Sequence, residues 1–351
     1  MALARVARDE SALAFALDCR ASAILGPDTI AESLEVATEL CAVAERNSDF
    51  ERLAHGRFHR AIALLLLGDV ATATGEIRAG ERVVDLLKQP AQQWLFTALR
   101  TMLAIAAGDL ADAEARIEAA WELGRRSIPG LVIPIYWMQL FELAELRGDA
   151  RALEEPVAAL AGSEPSRPVF RCALAKLRAE LGESGAAGRE LRELTADGLA
   201  ILPFDLEWLY AVSMLAEAAV LVGDEAAAGA IYEALLPWSS LNTVDPSEGM
   251  RGSVARYLGV LAAADARLDD ALAHFDEAIA VNERMGVRPW LAYTHLDAAA
   301  VLRRRRLQGD AERADRHAAA GEAALRELGL PPSTAVATAL ARLPRPLGST
   351  R

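Results

Sequence analysis

Three apolar positions recur along the chain at spacings of four and three residues. Ala73, Ile77 and Gly80 form one set, and Ala113, Ile117 and Ala120 the next. Leu153, Val157 and Leu160 follow, then Ala187, Leu191 and Leu194. The last three sets are Ala228, Tyr232 and Leu235; Ala271, Phe275 and Ala278; and Ala314, Ala318 and Gly321. This spacing marks one face of an α-helix. The first member is alanine in six of the seven sets. A small residue there lets a neighbouring helix approach, and the larger residue after it fills the groove.

Each set follows a short turn by five residues. The turns are Gly68-Asp69, Gly108-Asp109, Gly148-Asp149, Gly182-Glu183, Gly223-Asp224 and Gly309-Asp310, with a degenerate copy at Ala266-Arg267. Their intervals are 40, 40, 34, 41, 43 and 43 residues. A period in this range predicts a solenoid. Glycine accepts the left-handed conformation that ends one helix, and the acidic residue after it suits the N-terminus of the next. The first helix of each pair precedes the turn, as in "YWMQLFELAEL" (136–146), "SVARYLGVLAAA" (253–264) and "THLDAAAVL" (294–302). Leu258-Gly259 sits where a tetratricopeptide repeat carries its Leu-Gly pair, and Trp137 falls at a packing position of that repeat. The expected fold is all-α: a right-handed α-α superhelix of tetratricopeptide-like helix-turn-helix repeats of about 40 residues, with helices longer than the standard 34-residue unit gives.

Residues 1–67 read as degenerate N-terminal repeats with helices near 9–25, 29–47 and 49–67. Residues 68–330 carry the regular repeats. Residues 331–351 hold one short helix after Pro332 and a frayed end. "PWSSLNTVDPSEGM" (237–250), with its two prolines and polar run, reads as a mobile loop. In "MGVRPWLAYTHLDAAAVL" (285–302), Gly286 and Pro289 mark a corner between packed helices, and Trp290 begins the next apolar stripe. Neither the corner nor the repeat register requires Arg288.

Composition supports this reading. The 351 residues are 53% hydrophobic and 25% charged, and alanine, leucine, glutamate and arginine are strong helix formers. The formal net charge of −13 argues against gripping nucleic acid or an anionic membrane. No apolar run reaches the roughly 18 residues of a membrane span, and "MALARVARDESALAF" has no signal-peptide core. Cys19, Cys41 and Cys172 are widely spaced and make no metal or redox motif. These features lead to the expectation of a cytoplasmic protein.

The last third is similar to a known pattern. "LPFDLEWL", "LAEAAVLVGDEAAAGAIYEALLPW", "SVARYLGVLAAA", "ALAHFDEAIAVNERMGVRPWLAYTHLDAAAVL" and "GDAERADRHAAAGEAALRELGL" resemble the C-terminal helical-repeat region of large bacterial ATP-binding signalling proteins. These are the LuxR-type transcriptional regulators and the adenylate or guanylate cyclases fused to an ATPase module. The resemblance implies a regulatory repeat module with a protein or peptide partner, which includes an ATPase module of the same parent protein. It does not carry ATPase, cyclase or DNA-binding activity. The sequence has no G-x-x-x-x-G-K-[ST] loop, no cyclase domain and no terminal DNA-reading unit.

Candidate chemistry is sparse. His55 and His59 share a helix face, but Gly56 stands where a zinc protease carries glutamate, so ordinary helix histidines are expected. Arg303 to Arg306 close a helix, where cations favour the negative end, and read as a solvated terminus. No catalytic, cofactor or metal residue emerges from spacing. Positions thirteen, ten, six and three before each turn should face the concave surface. There, Met138, Glu142, Lys176, Tyr210, Glu217 and Arg256 form the candidate ligand-binding set. The expected function is a non-enzymatic module binding a protein, peptide or inducer. The alternatives are an oligomerisation scaffold, which would make the chain a homo-oligomer, and a helical enzyme with a site assembled across helices.

Overall fold

A computed structural model describes residues 1–24 and 26–344. Four helices precede the first glycine turn: α1 (Ala2–Ala7), α2 (Glu10–Ala23), α3 (Ile30–Arg46) and α4 (Phe50–Leu66). The repeats continue through α5 (Val70–Leu87), α6 (Pro90–Ala107), α7 (Leu110–Gly124), α8 (Pro129–Arg147), α9 (Glu154–Ser163), α10 (Val169–Glu180) and α11 (Ser184–Leu199). Then come α12 (Trp208–Val222), α13 (Glu225–Leu235), α14 (Val254–Ala264), α15 (Leu268–Met285), α16 (Arg288–Arg305), α17 (Asp310–Leu328) and the short α18 (Ala335–Arg342). The seven turns join α4 to α5, α6 to α7, α8 to α9, α10 to α11, α12 to α13, α14 to α15 and α16 to α17. The protein is an all-α helical-repeat solenoid. The frayed end expected after α18 lies, from residue 345 onward, outside the described residues.

The turns are built as their chemistry dictates. At Gly108 (φ 83°) the glycine N–H donates to Ile105 O at 3.0 Å and the Asp109 N–H to Ala104 O at 2.9 Å, which satisfies two carbonyls of the ending helix. Ala266 adopts the same left-handed conformation (φ 60°) with the equivalent bonds, so the degenerate repeat keeps its turn at a strain cost of roughly 1 kcal/mol. The acidic residue after the turn caps the next helix at Asp69 and Asp224, whose side chains accept the N–H of Thr72 and Ala227. Asp310 does something else: it is the first residue of α17, and it accepts the Leu307 N–H and a two-point contact from Arg305.

The small–large–apolar face packs inward. Ala73, Ala113, Ala187, Ala271 and Ala314 have no exposed surface, and Ile77, Ile117, Val157, Leu191 and Phe275 are buried beside them. Leu153 departs from the pattern. It closes a 3-10 turn (Ala150–Leu153) before α9 and is only half-buried. At the corner, Gly286 (φ 71°) ends α15, Pro289 sits in the first turn of α16 and Trp290 is buried. Arg288 reaches Glu327 at 3.0 Å on the surface.

The mobile loop expected at 237–250 is instead a buried β-hairpin. Strand β1 (Asn242–Asp245) pairs antiparallel with β2 (Gly249–Ser253), and of residues 241–253 only Pro246 is not buried. The hairpin fills the inside of the superhelix and touches α4, α6, α8, α12, α15 and α16. Several of its polar groups, which read as solvent-seeking, have internal partners. Asn242 Nδ2 donates to Leu66 O at the end of α4 (3.0 Å), Thr243 Oγ1 to Gly252 O (3.0 Å) and the Ser253 N–H to Asn282 Oδ1 (2.9 Å). Gly249 is required for this approach, because a Cβ there would fall 2.5 Å from both Glu142 Oε1 and the Tyr210 hydroxyl.

The array also winds back on itself. The Gly68 turn lies against Asn242 and Met285, the Gly108 turn against Leu328 and the Gly148 turn against Pro331. Early repeats thereby meet late ones across the hairpin. Among the described residues no helix is long and apolar enough to cross a membrane.

Candidate functional site

Five of the six candidate residues converge on one buried network. The faces of α8, α10, α12 and α14 that precede the turns bring Glu142, Lys176, Tyr210, Glu217 and Arg256 together, each no more than 3% exposed. Met138 does not join them; it lies in the apolar core. The hairpin fills the inside of the superhelix beside them, and of this set only Glu217 and Arg256 border a cavity. Five further residues complete the arrangement: Glu145, Glu180, Arg251, Tyr293 and Asp297. Glu145 stands three before Gly148, a position the register itself selects. Asp297 stands twelve before Gly309, one residue off that register. Arg251 comes from β2, which no helical period points to.

The contacts form a chain. Arg251 makes a two-point contact with Glu145 (2.7 and 3.0 Å) and reaches Glu217 Oε2 at 2.6 Å. Lys176 Nζ sits between Glu145 (2.9 Å), Glu180 (2.8 Å) and Glu217 (3.5 Å). Arg256 joins Glu217 (2.6 Å) to Asp297 (3.0 Å through Nε). The Tyr210 hydroxyl donates to Glu142 at 2.8 Å. Trp290 and Tyr293 lie about the arginines, 5.9 Å from the Arg251 guanidinium and 5.8 Å from that of Arg256.

Burial and pairing divide the carboxylates. Burial pushes Glu142 up to about 7 against the pull of Arg251. Burial likewise raises Asp297 to about 6, although Arg256 opposes it. Burial penalises Glu217 too, but Arg251, Lys176 and Arg256 outweigh it and hold that carboxyl far below its usual range. Glu217 is thus the ionised hub, while burial favours the protonated form of Glu142.

A cavity of about 330 Å³ opens beside this network. Glu180, Glu217, Arg256 and Tyr293 form one wall, and the segment from Pro331 to Val336, leading into α18, forms the other. Glu180, with 22% of its side chain exposed, faces open space. From this seat α18 packs against α12, α14 and α16. Val336 and Leu340, four residues apart on one face, are buried. Thr334 caps the helix by accepting the Ala337 N–H at 3.0 Å.

The remaining sequence candidates resolve into structure. His55 meets Asp18 (3.3 Å) and Gln92 (3.0 Å), and His59 meets Ser22 (3.4 Å). Among the described residues no group of three His, Cys, Asp or Glu side chains is placed to hold a metal ion. The arginine run is not wholly a solvated terminus. Arg304 is buried and donates to Ala263 O and to Pro344 O just beyond α18, while Arg305 pairs with Asp310 and Asp269. All three cysteines are free.

No protein-family model matches the chain, and no curated protein sequence matches it. The likeness to bacterial signalling proteins rests on the residues quoted for it.

Proposed function

We propose that the protein is a non-enzymatic interaction module that holds a helical peptide segment against the first helices of its last repeats. The observation that supports this is the seat of α18. An eight-residue helix with an apolar pair four residues apart lies across α12, α14 and α16, the arrangement by which amphipathic helices dock in grooves. Arg304 holds the chain just beyond its C-terminal end. In this reading α18 is the resident occupant, and a helix of similar pattern from a partner replaces it. The family resemblance suggests an ATPase module as the source of that helix.

The test uses the full chain carrying Leu340→Asp, which puts a charge into the apolar seat and releases α18. A labelled peptide of residues 331–344 is then titrated. The variant is expected to bind it at least about tenfold more tightly than the wild-type chain, whose seat is filled. A folded variant, checked by circular dichroism, that ignores the peptide refutes the proposal.

A further inference from the structure

We propose that His295 of α16 and His317 of α17 form a transition-metal site, in which their two Nδ1 atoms hold one divalent ion of the copper, nickel or zinc class across the helix pair. The ion needs no partner helix, so the site goes beyond the function proposed above.

The contact between the rings gives the first argument. The two Nδ1 atoms lie 2.9 Å apart, with the ring centroids 5.1 Å apart and the planes at 40°. Two lone pairs at this distance repel unless something lies between them. A proton meets the need: one ring donates through Nδ1 and the other accepts. A divalent ion meets it with two coordinate bonds. Two nitrogens each about 2.0–2.1 Å from one ion stand about 2.9 Å apart at a right angle and about 3.3 Å apart at the tetrahedral angle. The observed spacing suits the right angle of square-planar and octahedral ions, and a small opening reaches the tetrahedral one. Rotation about Cβ–Cγ, a broad torsion in histidine, turns both lone pairs onto the ion. The ring that donated moves its proton from Nδ1 to Nε2, so the exchange leaves both rings neutral and releases no proton.

The second argument is placement. α16 and α17 follow one another across the Gly309 turn and pack together. Leu296 and Ala318, next in sequence to the two histidines, are buried, while the histidines themselves are half-buried. The rings therefore sit at the rim of the helix contact, held by the core and open to solvent. Two protein ligands leave positions for water, so no third His, Cys, Asp or Glu is needed, and none is placed to serve. Asp276 of α15 lies near His317 and counters Arg313 and Arg316 of α17. Burial pushes His295 down to about 4 and lowers His317 too, so both rings stay in the neutral, ligating form at neutral pH. The other three of the five histidines each meet a different group. His55 meets Asp18 and Gln92, His59 meets Ser22, and His274 meets the Tyr232 hydroxyl.

Calorimetric titration of the full chain, free of any affinity tag, with zinc, nickel and magnesium chlorides at neutral pH tests this. Zinc and nickel should bind with a dissociation constant below about 100 µM. Magnesium, which prefers oxygen ligands, should not bind at the pair. His295→Gln and His317→Gln should each lose at least about tenfold in zinc affinity, while His55→Gln and Cys19→Ser keep it. In the wild-type chain, zinc should move the ring ¹⁵N resonances of two histidines, a readout that needs no variant to fold. Undiminished zinc binding by folded His295→Gln overturns the assignment. So does zinc that leaves every histidine resonance unmoved, or zinc binding that is lost in Cys19→Ser. None of these results depends on whether the α18 seat accepts a peptide.

Discussion

Arg251→Met tests whether the hairpin is held by the ion network or merely covers it. Methionine keeps much of the aliphatic stem and removes the guanidinium. Arg251 is fully buried and makes the 2.7 and 3.0 Å contacts to Glu145 and the 2.6 Å contact to Glu217. Without it, five carboxylates face only Lys176 and Arg256. Removing one partner of a buried pair costs about 3–5 kcal/mol, because the remaining charge is left without compensation. The loss of the contact with the Trp290 ring adds to this. The Arg251 Nε, which has no acceptor, no longer needs to be buried, which offsets about 1 kcal/mol. A net loss of about 3–4 kcal/mol follows, read from urea unfolding by circular dichroism. Adding Glu145→Gln should recover at least about 1 kcal/mol, since it removes the carboxylate that Arg251 neutralises. A single variant within about 1 kcal/mol of wild type, or a double variant with no recovery, refutes the account.

Other outcomes follow from the same geometry. Ala271→Leu inserts a branched side chain at a fully buried helix contact and should cost about 1–3 kcal/mol; an unchanged melting temperature means the repeat register is misplaced. Gly249→Ala should destabilise by a similar amount, about 1–3 kcal/mol, because its Cβ meets Glu142 and Tyr210, and a neutral result in urea unfolding refutes the close approach. Glu142 has a pKa of about 7 in the fold, against 4.5 ordinarily, so the folded chain keeps a proton that the unfolded chain has already released between those pH values. Ionising it destabilises the fold progressively as pH rises from 4.5 through 7, by roughly 3 kcal/mol when complete. Glu142→Gln removes that titration and should gain stability relative to wild type between pH 5 and pH 8. Parallel stability curves for the two proteins contradict the assignment.

The helices, their pairing and the buried face were legible from the chain alone, because each repeat packs mainly on its neighbours. Spacings of three and four residues, and a left-handed turn every 40 or so, are local instructions that survive without knowledge of the whole. The same register selected Glu142, Lys176, Tyr210, Glu217 and Arg256 as facing one surface. It left open what that surface meets, and only the tertiary structure decided it. The hairpin's two strands of four and five residues are too short for a period. Their polarity suggests solvent, yet Asn242 and Ser253 find partners on distant helices, and Thr243 finds one on the facing strand. Arg251 joins the network only because the hairpin sits inside the array, where Glu145 and Glu217 of different helices meet it. Burial then sets which carboxyl keeps a proton and which stays charged. Local period dictates the helices; closure in space dictates the electrostatics, because desolvation and pairing depend on residues far apart in sequence.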